Sequence, residues 1–253
     1  MIEIRSEKEI AVMKKAGSIV SEVLNGLKNY IKPGIKTIEL DLLSERLIKK
    51  LGGRPAFKDY KGYPANICTS VNNVIVHGIP GERVLSEGDI ITVDIGVETE
   101  GYFGDGAYTY TVGRTDGKAN KLIDVTRTAL DMGIRKARAG NKVSAISCAV
   151  QNFVESNGFS IIKAFVGHGI GTKLHEPPEI PNFGKPDTGA ILESGMVLAI
   201  EPMVSAGGYE IDILQDGWTA VTLDKSLAAH FEHTVAITNN GAEILTLCQK
   251  KNL

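Results

Sequence analysis

Asp94 stands in the run Ile90 to Val97, IITVDIGV, and Asp105 stands in the next run, YFGDGAY. Both stretches alternate or cluster apolar residues as β-strands do. If Thr99 and Glu100 make a two-residue loop, Asp94 and Asp105 face each other across the hairpin, about 5 Å apart at their β-carbons. A three-residue loop places them on opposite faces unless a bulge at Gly104 or Gly106 restores the phase. Two like charges that close in an apolar setting require either a retained proton or a cation between them. The same anomaly recurs downstream, where Glu201 ends VLAIEP and Glu232 begins EHTVAI. A lone carboxylate in a strand is ordinarily solvent-facing or salt-bridged. Four of them, two in each half of the chain, are harder to explain as structure.

His168, between Gly167 and Gly169, completes an oxygen-rich set with one imidazole. That set suits Mn²⁺, Fe²⁺, Co²⁺ or Zn²⁺ in a two-metal site and disfavours a structural zinc, and its chemistry is hydrolysis. The stretch GHGIG resembles a dinucleotide loop only superficially, because an imidazole sits where a pyrophosphate would approach, and the chain has no GxGxxG after a strand and no GxxxxGK[ST]. His77 in VHG and His175 in LHE are equally open to a substrate-side or a turn role on the residues alone. His230 and His233 match no ligand position and read as structural. Cys68, Cys148 and Cys248 form no CxxC pair and read as small buried residues, and neither a disulfide framework nor a zinc ribbon is expected.

The elements that must carry these residues follow from periodicity. Ser6 and Glu9 have capping-box spacing, and apolar residues at 10, 13, 16, 20, 23, 24 and 27 predict a helix to about Asn29, ended by Lys32-Pro33-Gly34. A second helix is expected over Thr37 to Leu51, and two more near Ala119 to Arg138 and Val143 to Asn157. Strands are expected at Ile67 to His77, Ile90 to Val97, Tyr102 to Val112, Ser160 to Val166, Met196 to Glu201, Tyr209 to Leu214, Trp218 to Leu223 and Glu232 to Thr238. Helices then strands, twice over, with no linker between, predict one α+β domain over residues 1–253: two similar halves with helices on one face of a curved, mostly antiparallel sheet.

Composition agrees with a full globular core: 253 residues, 43% hydrophobic and 23% charged. With 28 basic and 30 acidic residues, the net charge of −2 gives no footprint for nucleic acid or an anionic membrane. The 28 glycines exceed the roughly 7% of an ordinary chain and suggest places where backbone comes close to something. Charges interrupt every apolar stretch in the first 30 residues, so neither a signal peptide nor a membrane span is expected there, and the cytoplasm is the expected compartment.

Taken in order, RSEKEIAVMKKAG, NICTSVNNVIVHGIP, GDIITVDIGVETEGYFGDGAYTYTVG, GHGIG, LHEPP, GMVLAIEPMV and DGWTAVTLDKSLAAHFEHTVAIT resemble the type I methionine aminopeptidases over nearly the whole chain. The resemblance implies a pita-bread fold and removal of the initiator methionine when the second residue is small, through two divalent ions that activate a bridging water. It puts the metal ligands at Asp94, Asp105, His168, Glu201 and Glu232, with Asp105 and Glu232 bridging, Asp94 on one ion, and His168 and Glu201 on the other. Glu201 is also the implied proton shuttle, and His77 and His175 the substrate-side histidines that stabilise the tetrahedral intermediate. The methionine pocket falls on Tyr60, Tyr63, Cys68, His77, His175 and Trp218, an apolar slot fit for a flexible thioether. Phe57 stands where a cysteine is common in bacterial members and Leu174 where a phenylalanine is common. Asn72 and Val74 match a backbone site for a monovalent cation. The resemblance also implies a monomer that meets nascent chains, with transient contact to the ribosome.

A proline-specific aminopeptidase of the same fold is the nearest rival, though those relatives usually carry a large extra N-terminal domain. The type II methionine enzymes insert a helical segment between the ligand histidine and the next glutamate, and the stretch from His168 to Glu201 has no room for it. A binding protein that keeps the fold without catalysis would be expected to lose ligand positions, and here all five are present.

Overall fold

The computed structural model describes residues 2–247. Helices α1 (Glu7–Lys28) and α2 (Thr37–Lys50) come first, followed by strands β1 (Arg54–Pro55), β2 (Cys68–Val71), β3 (Val74–Val76), β4 (Ile90–Thr99) and β5 (Tyr102–Thr111). Helices α3 (Gly117–Lys136) and α4 (Val143–Ser156) open the second half. Strands β6 (Ser160–Ile161), β7 (Gly167–Gly169), β8 (Glu176–Ile180), β9 (Val197–Ile200) and β10 (Met203–Ser205) follow them. The chain closes with β11 (Ile211–Ile213), β12 (Ala220–Thr222), β13 (Ala228–His230), β14 (His233–Thr238) and β15 (Gly241–Ile244). The expected α+β order, helices then strands in each half, is what the chain adopts.

Ser6 caps α1 as expected, with its side chain accepting from the Glu9 amide and Glu9 reaching back to the Ser6 amide. Pairing is antiparallel in every ladder among the described residues: β4 lies between β1 and β2 on one edge and β5 on the other, and β15-β14-β9-β7-β8 forms the matching sheet of the second half. Two cores result. One face of β4, carrying Ile91, Val93, Ile95 and Val97, packs with Val20, Val23 and Leu27 of α1 and with Leu40 and Ile48 of α2. In the second core, Leu122, Ala129 and Leu130 of α3 and Ile146 and Val150 of α4 pack with Leu198, Ile200, Val235 and Ile237 of β9 and β14. Because strand side chains alternate, Asp94 on β4 and Asp105 on β5 point away from the helices.

The hairpin register departs from expectation. The loop is Glu100-Gly101, with φ of 52° and 80°, as a two-residue loop of primed type requires. Gly96 therefore faces Asp105, and Asp94 faces Ala107. The shift is by an even number of positions, so both aspartates stay on the same face as diagonal neighbours, and no bulge is needed. The expected strand over Ile67 to His77 breaks into β2 and β3 at Asn72, whose φ is 58°. The strand expected at Ser160 to Val166 is only two residues long. Glu201 lies just after β9 and Glu232 just before β14, rather than inside the strands.

The halves are joined by a seam in which a side chain replaces a ladder. The Asp105 amide donates to Thr234 Oγ1, which donates back to the Asp105 carbonyl (2.9 and 2.8 Å), and the Glu232 amide donates to Ala107 O (3.0 Å).

Candidate active site

One cavity of about 150 Å³ is lined at its inner end by Asp94, Asp105, His168, Glu201 and Glu232. Ligand-capable atoms of Asp105, His168 and Glu232 lie within 4.8 Å of one another, and all three residues are buried. Asp94 and Glu201 sit outside that tight trio but on the same cavity. Asp94 Oδ1 and Glu232 Oε1 are buried with no hydrogen-bond partner in the protein. A buried carboxylate oxygen without a partner is costly unless a cation or a proton satisfies it. Burial raises the carboxyl of Asp94 to about 7 and pushes Asp105, Glu201 and Glu232 well above the usual range; for these three the neighbouring acids add to the shift.

His168 Nδ1 is 2.8 Å from the Gly169 carbonyl, so the Nδ1–H donates there and the Nε2 lone pair is left for the cavity. Burial lowers its pKa to about 4, keeping the ring neutral. His168 Nε2 and Glu201 Oε1 are 3.6 Å apart, two acceptors facing each other across a gap that suits a cation. Cys68, opposite Asp94 in the β2–β4 ladder, is held as a neutral thiol by burial. Four carboxylates and one neutral imidazole with a free nitrogen make the donor set of a divalent-ion hydrolase.

The outer end of the cavity is aromatic. Tyr63 meets Trp218 edge-on at 5.1 Å, and its hydroxyl donates to Gly78 O (3.0 Å), pinning the turn that carries His77. His77 is held at φ 58°, a left-handed conformation rare for histidine, with its ring edge-on to Phe165 and Trp218. His175 also lines the cavity, its Nδ1 2.8 Å from the Tyr60 hydroxyl and its ring 4.1 Å from that of His168. Desolvation and the nearby His168, Lys61 and His77 hold it below the ordinary imidazole value. Every expected pocket residue lines this one cavity, and so do Phe57 and Leu174. The Phe57 ring occupies the space where a β-carbon on Gly96 would fall, 2.4 Å from its Cε1, which accounts for a glycine opposite Asp105.

Two residues at the site were not foreseen. Lys61, at φ 51°, lines the mouth and stands 5.4 Å from the Tyr60 ring centre. His230, expected to be structural, lies with Nε2 3.6 Å from Glu201 Oε2. His233 is structural as expected, its Nδ1 2.8 Å from Thr246 Oγ1. Among the cysteines, Cys68 is buried as expected, Cys148 is half-buried instead, and Cys248 lies outside the described residues.

The segment bearing Leu174 and His175 is fixed through Glu176. One Glu176 oxygen accepts from the Lys173 amide (2.9 Å), and the other pairs with Arg5, both side chains being about 7% exposed. Arg5 packs against Gly171, where a β-carbon would fall 2.3 Å from its Nη2. Arg5→Met should therefore cost about 3 kcal/mol, because Glu176 is left buried without its partner. It should also raise KM as the His175 segment loosens. Urea denaturation and peptide kinetics measure the two effects, and an unchanged denaturation midpoint would show the ion pair to be idle.

The model of metallopeptidase family M24 matches residues 11–239. A methionine aminopeptidase of Clostridium perfringens is 51% identical over 98% of this chain and 99% of its own length. The crystal structure of methionine aminopeptidase from Thermotoga maritima superposes with a TM-score of 0.96 at 48% identity, covering 97% of this chain and 99% of that one. Prolidase from Pyrococcus furiosus shares the fold alone, with a TM-score of 0.80 at 23% identity, and this chain spans 66% of it. The chain belongs to metallopeptidase family M24, in its bacterial-type methionine aminopeptidase branch, and has the pita-bread fold.

Proposed function

We propose that this metal-dependent hydrolase removes the N-terminal methionine, as the name methionine aminopeptidase of its relatives suggests, from nascent proteins and peptides whose second residue is small, as the family resemblance implies. The carrying observation is that the acidic donor set, two histidines and an aromatic slot share one cavity. The partnerless Asp94 Oδ1 and Glu232 Oε1 and the free Nε2 of His168 fit a pair of divalent ions. In this reading Asp94, Asp105, His168, Glu201 and Glu232 would together hold the ions. Co, Mn, Fe(II) and Zn all suit these donors. When bound, such ions supply Lewis acidity toward the scissile carbonyl and toward water.

The chain's own residues do the rest. Tyr60, Tyr63, Cys68 and Trp218 enclose the thioether, while His77 and His175 contact the scissile amide and stabilise charge developing on its oxygen. Glu201 takes the proton from the attacking water and passes it toward the leaving amine. A monovalent cation at the backbone of Asn72 and Val74 belongs to the same proposal. So do a single catalytic domain over residues 1–253 and a monomer working in the cytoplasm with transient ribosome contact. Among the described residues no helix is long and apolar enough to cross a membrane.

The test is to strip the protein of metal and supply Met-Ala-Ser and Ala-Pro-Ser while restoring each divalent ion in turn. Methionine release from the first peptide is expected. Alanine release from the second without methionine from the first would overturn the reading in favour of a proline-specific enzyme.

A further inference from the structure

We infer that His230 is a positioning residue for Glu201, holding one carboxylate oxygen so that the other is presented to the cavity. The inference rests on the reading of Glu201 as ligand and proton carrier. His230 is 1% exposed, and neither of its ring nitrogens has a hydrogen-bond partner in the protein. A buried imidazole with both nitrogens idle is costly as mere filler, since each polar atom has given up water without return. Its Nε2 faces Glu201 Oε2 at 3.6 Å, while Glu201 Oε1 faces His168 on the other side at 3.6 Å. Glu201 is thus flanked by two imidazoles with different duties. The Nδ1–H of His168 is committed to Gly169, so its Nε2 offers only a lone pair. No competing acceptor fixes the His230 tautomer, so its single N–H is free to sit on Nε2 and donate to Oε2.

Both backbones are anchored, so the approach is built into the sheet. Thr109 Oγ1 donates to the His230 carbonyl and accepts from the His230 amide, and His230 pairs with Met203, two residues beyond Glu201. The Glu201 carbonyl in turn accepts from Asn182 Nδ2 at 2.9 Å. Side-chain rotation shortening the gap by about 0.5 Å brings the pair within hydrogen-bond range. An oriented carboxylate keeps a fixed lone-pair direction toward the cavity, and a neighbour that orients a ligand in this way typically alters metal affinity or activity by about 10- to 100-fold.

The test compares His230→Gln, which retains an N–H donor, with His230→Leu, which fills the space without one. His230→Leu should lower kcat on Met-Ala-Ser by about 30-fold with KM within about twofold of wild type, and should weaken Mn²⁺ binding by about tenfold in calorimetry. His230→Gln should stay within about threefold of wild type in both. Equal losses in the two variants, or a loss confined to KM, would overturn the inference. Should His230→Leu fail to fold, ¹⁵N imidazole spectra of the metal-free wild type decide instead: an Nε2–H tautomer supports the inference and an Nδ1–H tautomer overturns it. Failure of the functional reading is distinguishable, because the wild type would then release no methionine from Met-Ala-Ser whatever the variants do.

Discussion

Asp105→Asn is expected to remove metal-dependent turnover while leaving a folded protein that, without metal, is more stable than wild type above neutral pH. Two consequences of one substitution point in opposite directions. On the proposed reading, loss of one of the carboxylates that would hold the ions forfeits several kcal/mol of charge stabilisation, which at about 1.36 kcal/mol per decade is on the order of a 10³-fold fall in kcat. In the metal-free chain, by contrast, Asp105 is buried and crowded by Asp94, so its charge is a burden. Asparagine keeps an oxygen to accept from the Gly106 amide, as Oδ1 does at 3.0 Å, and carries no charge. Peptide turnover and urea denaturation of chelator-treated protein read the two effects. Wild-type turnover in this variant would remove the two-ion account.

Stripping metal from the wild type should make stability fall as pH rises through neutrality. Asp94 is raised to about 7, and Asp105, Glu201 and Glu232 are raised well above their ordinary values. Each therefore binds its proton more tightly folded than unfolded, and the stability this confers is lost as pH climbs through the folded value. The buried histidines work in the opposite sense. His168 and His233, lowered to about 4, and His230, lowered to about 3, add stability as pH rises toward their unfolded value of 6.5. Above that pH they are neutral in both states, so the carboxylates alone set the slope, about 1.4 kcal/mol per unit for each proton released. Restoring a divalent ion should flatten the curve, because the ionised carboxylates are then paired. A metal-free stability that is flat or rising as pH passes through 7 would contradict this.

The parts of the fold that a reader of the sequence can place are those with strong local signals. The Ser6–Glu9 capping box and the apolar stripe of α1 are local, and so is the alternation that put Asp94 and Asp105 on one face. The register was not local in this sense: Thr99-Glu100 was the expected loop pair, and Glu100-Gly101 is the observed one. Only the left-handed conformation at Glu100 and Gly101 selects the second. Strand β7 was invisible because two of its three residues are glycine, and it exists through pairing with β8 and β9 rather than through propensity. The acidic residues were legible as charged groups out of place in apolar strands, His168 as an imidazole held between glycines, and the pocket residues by family resemblance; the structure brings them to one cavity. His230 was not, since its bearing on Glu201 depends on β13 lying beside β10, a contact that no spacing reveals.

The seam between the halves carries a consequence for the order of synthesis. Asp105 and Thr234 are 129 residues apart along the chain, so at ordinary elongation rates β5 leaves the ribosome on the order of 10 s before its partner. The first half can bury α1 and α2 against β4 in that interval, but its two aspartates remain solvated until β14 arrives. Competence therefore waits on the segment that brings Glu232 and β14 to the cavity, whatever the first half has already buried.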